Sequence, residues 1–365
     1  MKIREIITAL EELAPPSYQE TYDNSGLLTG DQNWECTGVL CTLDATEEVI
    51  NEAKEKGCNA VVAHHPIIFS GLKKINGKNY VERAVIAAIK NDIAIYAIHT
   101  NLDNILQGVN GKIAEKLGLQ NVQVLLPKEN HLRKLYVFVP ENKAEEVRNA
   151  IFKAGAGQIG NYSECSFNIP GRGTFKAGEE TDPYVGEKGK RHEEDEVKIE
   201  IIFPAHLQMR IITAMIKAHP YEEVAYDVIP LGNYFKEVGS GLIGEMPEPM
   251  DEHFFLNQLK TSFGLEVIRH TGLLNKKVRK VAICGGAGSF LTKRALSAGA
   301  DVYVTADMKY HEFFDAEGKM VIADIGHYES EQFTIELLME VLQQKFPTFA
   351  VLKTGMETNP VKYFL

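Results

Sequence analysis

Histidine and carboxylate side chains follow several predicted strands of this sequence. In chain order they are His64 and His65 after NAVVA, His99 and Asp103 after IAIYAI, Asp307 and His311 after VYVT, and His327 and Glu331 after MVIADIG. Because ligands of open α/β sheets bind beyond the carboxyl ends of the strands, we expect these side chains to gather at one site. Imidazoles with carboxylates suit Zn, Fe, Mn, Co or Ni better than Mg or Ca, and no thiolate belongs to the set. The pattern predicts a metal site.

Two pairs in this set have spacings that admit more than one interpretation. His327 and Glu331 are four residues apart at the start of a predicted helix, so both can face one ion. A local ion pair or a helix cap would use the same spacing. His64 and His65 diverge on an extended chain, so they bind one ion through a kink at Pro66, bind one ion each, or cap the strand. The third histidine and two carboxylates at matching strand ends favour metal binding.

The elements that must position these residues form two similar outer segments. Short apolar strands alternate with amphipathic helices over residues 1–127, and the same alternation resumes over residues 236–365. Such alternation predicts parallel sheets covered by helices on both faces. The two segments are compatible with halves of one catalytic unit and with two similar lobes.

The middle segment, residues 128–235, has a different pattern. KLYVFVP, AEEVRNAIFKAG and SECSFNI read as strand, helix and strand, and VKIEIIFP, HLQMRIITAMIKAHP and VAYDVIPL repeat that order. Two β-α-β halves in about one hundred residues predict an inserted ferredoxin-like α+β domain. Between the halves lies a polar, glycine-rich passage over residues 170–196, which we interpret as a hairpin or a mobile loop.

Two glycine-containing motifs are weaker signals. CGGAGS, at the end of VAIC, fits a phosphate cradle at a helix N-terminus and equally a tight strand-to-helix turn. DNSGLLTGD, residues 23–31, has turn glycines flanked by acids and is typical of a structural loop.

Composition excludes several classes of protein. The chain has 365 residues and a net charge of -11, and it lacks the Lys/Arg run that tight nucleic-acid binding requires. Its five cysteines include no C-x-x-C pair, which argues against a disulfide framework and for a reducing compartment. The amphipathic start MKIREIITALEELAPP is unlike a signal peptide, and no apolar window reaches the length of a membrane span. We therefore expect a cytoplasmic protein.

Several of these motifs together resemble one family. VVAHHP, HTNLD, DNSGLLTGD, GGAGS, TADMKYH and DIGHYESE occur in the order found in the Nif-three-like proteins, which are called GTP cyclohydrolase I type 2 homologues. The middle segment, above all HPYEEVAYDVIPL, is similar to the PII/CutA-like domain that bacterial members carry between their two arms. The resemblance implies two α/β arms that form a metal-binding core, with the ferredoxin-like domain inserted between them.

The resemblance also implies a ligand set and an activity. It places a two-metal site, for two divalent ions per subunit, on residues that match the family's motifs: His64, His65, Asp103, His327 and Glu331. It implies hydrolysis of GTP with opening of the purine ring and release of formate, in a homohexamer with a nucleotide as its small-molecule substrate. His99, Asp307 and His311 are the candidates for proton transfer. Hydrolysis of a phosphoester or cyclic amide, and a non-enzymatic metal-binding or regulatory scaffold, are the alternative functions.

Overall fold

The computed structural model describes residues 1–364, in which strands and helices alternate along most of the chain. The strands are β1 (Gly26–Thr29), β2 (Val39–Asp44), β3 (Ala60–His65), β4 (Ala94–Ala97), β5 (Gln120–Lys128), β6 (Leu132–Pro140), β7 (Phe167–Lys176), β8 (Arg191–Pro204), β9 (Tyr226–Leu231), β10 (Phe235–Asp251), β11 (Arg269–His270), β12 (Lys277–Ala287), β13 (Val302–Ala306), β14 (Val321–Asp324) and β15 (Val351–Lys353). The α-helices are α1 (Ile3–Leu13), α2 (Glu47–Glu55), α3 (Tyr80–Lys90), α4 (Thr100–Asp103), α5 (Val109–Leu117), α6 (Ala144–Lys153), α7 (Gln208–Ala218), α8 (Glu252–Phe263), α9 (Thr292–Ser297), α10 (His327–Glu331) and α11 (Thr334–Lys345). Among the helices of residues 1–364, none has the length and apolar character needed to cross a membrane.

The chain divides into two units. The core unit joins Met1–Pro127 to the chain from Lys236 onward, and the middle unit is Lys128–Phe235. The two outer segments of the sequence are therefore halves of one unit rather than two separate lobes.

One sheet of the core unit has the strand order β1-β4-β3-β2-β15. β15, β2, β3 and β4 run parallel, and β1 pairs antiparallel with β4 at one edge. The apolar residues of β2 and β3 are buried, which agrees with the expectation of a parallel sheet covered on both faces. The register places Asp44 beside His65 at the carboxyl ends of these two strands.

The other sheet of the core unit has the order β11-β14-β13-β12-β10-β5. β12, β13 and β14 are parallel, whereas β10 and β11 pair antiparallel at their flanks. The sheets thus exchange strands between the arms: β15 from the end of the chain completes the first sheet, and β5 from the first arm lies at the edge of the second. A core of buried side chains from α5, α8 and the central strands covers one face of this sheet.

The middle unit has an antiparallel sheet of order β7-β8-β6-β9. α6 follows β6 and α7 follows β8, and apolar residues of both helices pack against β6 and β8. The polar passage over residues 170–196 is a hairpin, because β7 and β8 extend into it and pair from Phe167↔Glu200 to Lys176↔Arg191.

Two elements are not predicted from the sequence. β10 is 17 residues long, and the sequence predicts no strand there, because its glycines and its two prolines, Pro247 and Pro249, are unfavourable in a strand. DNSGLLTGD contains the edge strand β1 rather than loop alone. The pattern of KYHEFFDAEG, residues 309–318, predicts a helix, and the structure has a 3-10 helix there, Tyr310–Ala316.

Candidate metal centre

Four of the histidine and carboxylate residues lie at or just after the carboxyl ends of β3 and β14. His64 and His65 are the last two residues of β3, so they lie in the strand rather than beyond it as the sequence suggested. His327 and Glu331 are the first and last residues of α10, which begins three residues after the end of β14. Asp103 closes the short helix α4. All five belong to the core unit, and their ligand atoms converge.

His64 and Asp103 face each other through atoms that lack hydrogen-bond partners. His64 Nδ1 lies 2.9 Å from the Ile98 carbonyl oxygen, which can only accept, so Nδ1 carries the proton and Nε2 presents its lone pair. Nε2 is 3.5 Å from Asp103 Oδ1, and both atoms are buried without a partner among residues 1–364. Two buried acceptors this close are unfavourable unless a proton or cation lies between them.

His65, His327 and Glu331 form the neighbouring group. Glu331 Oε2 lies 2.9 Å from His65 Nε2 and 3.1 Å from His327 Nε2, and the two Nε2 atoms are 3.3 Å apart. The same carboxylate oxygen is 3.9 Å from His64 Nε2. Glu331 is buried, and these distances show that its carboxylate lies close to the histidines of both groups.

Two further aspartates orient the His65 and His327 imidazoles through their Nδ1 atoms. Asp44 Oδ1 lies 2.8 Å from His65 Nδ1, and Asp307 Oδ2 lies 2.7 Å from His327 Nδ1. Each aspartate accepts the Nδ1 proton, so each Nε2 atom points into the cluster, as carboxylates behind metal-binding histidines commonly arrange. Asp307 thus supports His327, and nothing about this contact requires the role in proton transfer considered from the sequence.

The charges of the cluster shift its pKa values in opposite directions. Burial lowers the pKa of His64 to about 3, against the attraction of Glu331. Burial also disfavours protonated His65, but the hydrogen bonds and charges of Asp44 and Glu331 outweigh it and raise the pKa to about 9. His327 follows the same logic, with Asp307 and Glu331 raising its pKa to about 11.

The two carboxylates closest to His64 respond differently to their surroundings. Burial and the charge of Glu331 raise the pKa of Asp103 well above its usual range. Burial would raise the pKa of Glu331 too, but the hydrogen bond and charge of His327, followed by the hydrogen bond of His65, lower it. Two carboxylates this close demand positive charge, which protonated imidazoles supply here and a divalent ion supplies more directly.

The glycines after VAIC support the cluster instead of cradling phosphate, and they lie in β12, which continues through Ala287 where the sequence suggested a turn. The Gly285 N–H donates to Asn110 Oδ1 and the Gly286 N–H donates to Ser330 Oγ, both at 2.9 Å, so neither amide is free for an anion. Gly286 has φ +60°, and a Cβ added there would collide with the Glu331 carboxylate. Only glycine fits this position, since its backbone lies directly against Glu331.

The other two sequence candidates lie in different surroundings. His99 is next to the cluster, with its ring centroid 5.3 Å from that of His64 and 5.4 Å from that of His65. Its Nδ1 lies 2.7 Å from Asp23 Oδ1. His311 is exposed on the 3-10 helix, in ring contact with its helix neighbours Tyr310 and Phe314. That surface position does not support a role for His311 at the cluster.

Sequence reasoning missed Asp23 and Asp44. Asp44 ends β2, so the rule that found His65 at the end of the neighbouring strand would have found it as well. Asp23 precedes β1 in the motif that we interpreted as a structural loop, and no spacing rule connects it to His99. Burial would raise its pKa, but the hydrogen bonds of His99 and Thr100 lower it strongly.

Two cavities reach the cluster. One of about 450 Å³ is bordered by His65, His327, Asp307 and Arg269. The other, of about 900 Å³, is bordered by His65, His99, His327 and an apolar wall that includes Phe69. Their sizes are those of small-molecule sites, which span roughly 300–1,000 Å³. The histidines are therefore accessible to a ligand from the surface.

The geometry fits metal binding. Three overlapping groups have all their ligand atoms within 4.8 Å of one another: His64 with Asp103 and Glu331, His65 with His327 and Glu331, and His64 with His65 and His99. The possible donors are imidazole nitrogens and carboxylate oxygens, and further carboxylates hydrogen-bond to two of the imidazoles, which is the chemistry of a transition-metal site. Together with the orphaned atoms of His64 and Asp103, these buried His/Glu groups could hold a metal ion.

Comparison with known proteins agrees with the motif-based resemblance. The model of the Duf34/NIF3 (NGG1p interacting factor 3) family matches residues 1–360. The GTP cyclohydrolase 1 type 2 homolog of Halalkalibacterium halodurans is 42% identical over 364 residues, covering 98% of each chain. The Bacillus subtilis protein of the same name is 38% identical over 99% of this chain and 98% of its own.

A solved structure agrees as well. The crystal structure of a Bacillus cereus protein related to NIF3 superposes with a TM-score of 0.88 at 42% identity, covering 100% of this chain and 99% of that one. The mixed α/β architecture is thus that of NIF3-like proteins. On the family match and these identities, the chain belongs to the Duf34/NIF3 family.

Proposed function

We propose that this protein is a metal-dependent hydrolase with a dinuclear centre of two divalent ions per subunit. The observation that carries the proposal is the shared position of Glu331 between two ligand groups. His64 and Asp103 lie on one side of it, and His65 and His327 lie on the other. One carboxylate between two sets of imidazole and carboxylate donors is an arrangement for two ions rather than one.

The ions, when bound, would activate water near neutral pH and stabilise negative charge on a substrate oxygen. The donor set suits Zn, Fe, Mn, Co or Ni. The role of the chain's own residues is to fix the donors: Asp44 and Asp307 hold two imidazoles by their Nδ1 atoms, and the Ile98 carbonyl holds the third.

GTP is the substrate that the relatives' names suggest. On the family resemblance, we propose that hydrolysis opens the purine ring and releases formate. The 900 Å³ cavity supports a substrate of this size class, and Phe69 offers it an aromatic surface on which a base can stack. His99 lines the same cavity, and Asp23 occupies its Nδ1, which leaves Nε2 for proton exchange with the substrate.

Metal content is the first test. Purified protein loaded with Zn, Mn or Fe should hold about two ions per chain, as expected for a two-metal site. His65→Ala should lower this ratio, because it removes a donor from the group around Glu331. His253→Ala, an exposed histidine on α8, is the matched control and should keep the ratio. An unchanged metal-to-chain ratio in the His65 variant would show that His65 is not a metal ligand.

Formate release from GTP by the metal-loaded protein is the second test. His99→Gln should keep the metal ratio but lower turnover about a hundredfold or more, the usual loss when a general acid or base is removed. Turnover of phosphoesters or cyclic amides without formate from GTP would instead identify a different hydrolase using the same ions. If no loaded form turns over any of these compounds, the metal centre serves a binding or regulatory scaffold.

We also propose that residues 128–235 are a ferredoxin-like, PII/CutA-like domain inserted between residues 1–127 and 236–365. The strand order β7-β8-β6-β9, with helices after β6 and β8, supports this assignment because it is the order of the split β-α-β fold. On the family resemblance we propose a homohexamer in the cytoplasm. Light scattering should then give six times the chain mass of 40.7 kDa.

A further inference from the structure

The middle unit contains a cavity of its own. It measures about 440 Å³ and lies between the end of β7, the loop that follows it and the loop between α7 and β9. Four aromatic residues border it: Phe138, Phe175, Tyr184 and Tyr221. The ring centroid of Tyr221 is 6.3 Å from that of Phe175 and 6.2 Å from that of Tyr184, so the rings form a partial cage.

Acidic side chains dominate the charge of this cavity. Glu196, Glu222 and Glu223 line it, against Lys176 as the basic residue. Glu196 Oε1 accepts the Tyr221 hydroxyl hydrogen at 3.0 Å, and Oε2 lies over Gly173, where any Cβ would collide with it. The lack of a side chain at Gly173 therefore makes room for the second carboxylate oxygen.

Hydrogen bonds hold the walls in place without a ligand. His219 Nδ1 accepts the Tyr221 N–H at 3.1 Å, and His219 Nε2 donates to the Phe138 carbonyl at 3.0 Å. Glu222 accepts the Asp182 N–H with oxygens at 3.0 and 3.1 Å, which joins the two loops across the cavity. Burial and the Glu196 carboxylate raise the pKa of Tyr221, so its hydroxyl stays protonated and keeps its bond to Glu196.

We propose that this cavity binds a small organic cation that carries N–H donors, such as an alkylammonium or guanidinium group on an apolar body. Aromatic faces attract such cations, and the attraction grows when the cation loses water in a cavity. Glu196 Oε2 accepts an N–H of the cation in a charge-assisted hydrogen bond. The proposal depends on the middle unit alone and stands whether or not the metal centre is catalytic.

Benzylamine is the probe, titrated into the full-length protein by ligand-observed NMR. We expect saturable binding with a Kd of about 1 mM or tighter, the range of small fragments. Benzyl alcohol, its neutral counterpart, should bind at least about tenfold more weakly because it gains no charge attraction to Glu196. Benzoate should bind more weakly still.

Variants locate the site. Glu196→Gln should weaken benzylamine binding about tenfold, whereas Glu193→Gln, an exposed residue on the same strand and the opposite face, should leave it unchanged. Phe175→Leu keeps an apolar side chain but removes the aromatic ring, and it should weaken binding about threefold. This variant tests the aromatic contact even if the Glu196 variant folds poorly. His65→Ala should have no effect, since the metal centre is not involved.

Four results would overturn the proposal. They are the absence of saturable benzylamine binding, equal binding of benzyl alcohol, full affinity in both Glu196→Gln and Phe175→Leu, and loss of binding in His65→Ala.

Discussion

The imidazoles of the cluster share one arrangement at the scale of single residues. In His64, His65 and His327 the Nδ1 atom is bound to a carbonyl or carboxylate oxygen, and Nε2 faces Glu331 or Asp103. His64 is neutral and presents its Nε2 lone pair, whereas His65 and His327 present theirs once a metal ion displaces the Nε2 proton. This common arrangement, more than the number of histidines, supports a metal centre.

The raised pKa values predict how metal binding depends on pH. In the metal-free protein His65 keeps its proton up to about pH 9, whereas an unfolded histidine loses it near about pH 6.5. The ion pairs of protonated His65 therefore stabilise the metal-free fold. This stabilisation is complete below about pH 6.5 and is lost as the pH rises through about 9. A metal ion must displace this proton, so apparent affinity should rise with pH over this interval, about tenfold per pH unit for each proton released.

Calorimetric titration of metal in buffers of different ionisation enthalpy measures the protons released. We expect release of at least one proton at pH 7 and less release at pH 10. Asp44→Asn is the matched variant: it removes the carboxylate that raises the pKa of His65, so it should release fewer protons and bind metal about 10–100-fold more weakly. Metal binding at pH 7 without proton release would contradict the assigned protonation.

Much of this site could be predicted from the sequence, because residue type and strand position are both readable. His65, Asp103, His327 and Glu331 converge as the strand-end rule requires. Asp23 could not be found in that way: it binds His99 through a contact 76 residues apart in sequence, which depends on the packing of an edge strand.

At the scale of elements, the contact between the short helix α10 and the glycine-containing end of β12 determines where Glu331 lies. α10 is held against β12 by the Gly286 N–H, which donates to Ser330 Oγ, and Ser330 in turn donates to the His327 carbonyl. The sequence predicted a helix here and a turn at CGGAGS. It could not show that Gly286, which lies in β12, contacts α10, because that contact joins residues far apart in the chain.

Gly286→Ala tests this contact between elements. The substitution places a Cβ against the Glu331 carboxylate and strains a left-handed residue, so metal content should fall and the free energy of unfolding should drop by about 1–2 kcal/mol or more. Gly299→Ala is the control, since Gly299 has φ +77° with nothing within 4 Å of its added Cβ. Gly299→Ala should lower the free energy of unfolding by a similar amount without lowering the metal content. Equal metal content in both variants would show that Gly286 does not position Glu331.

At the scale of the whole molecule, the two outer segments are interleaved. β15 pairs with β2, and β5 lies beside β10, so each sheet contains strands from both arms. Amphipathic patterning predicted the elements of each arm, but the pairing of strands far apart in the chain, such as Val351 of β15 with Val39 of β2, has no local signal. Gly239, on β10, packs against Leu126 and Pro127 at the end of the first arm, which brings the chain ends around the middle segment close together.

This closeness predicts that residues 128–235 can be replaced by a short glycine-serine linker. The shortened chain should unfold cooperatively and keep the metal content of the full chain, because all the proposed ligands lie in the core unit. Urea unfolding and elemental analysis measure the two quantities. A folded product without metal would show that the middle segment helps to build the centre. If the product does not fold, the proposed domain boundaries are wrong.

Anomalous diffraction from a crystal of the zinc- or manganese-loaded protein tests the central claim most directly. We predict two peaks roughly 3.5–4 Å apart, the usual spacing of two-metal sites. One peak should lie between His64 Nε2 and Asp103 Oδ1, and the other between the Nε2 atoms of His65 and His327, with Glu331 beside both. A crystal saturated with metal that shows no peak among these side chains would contradict the account.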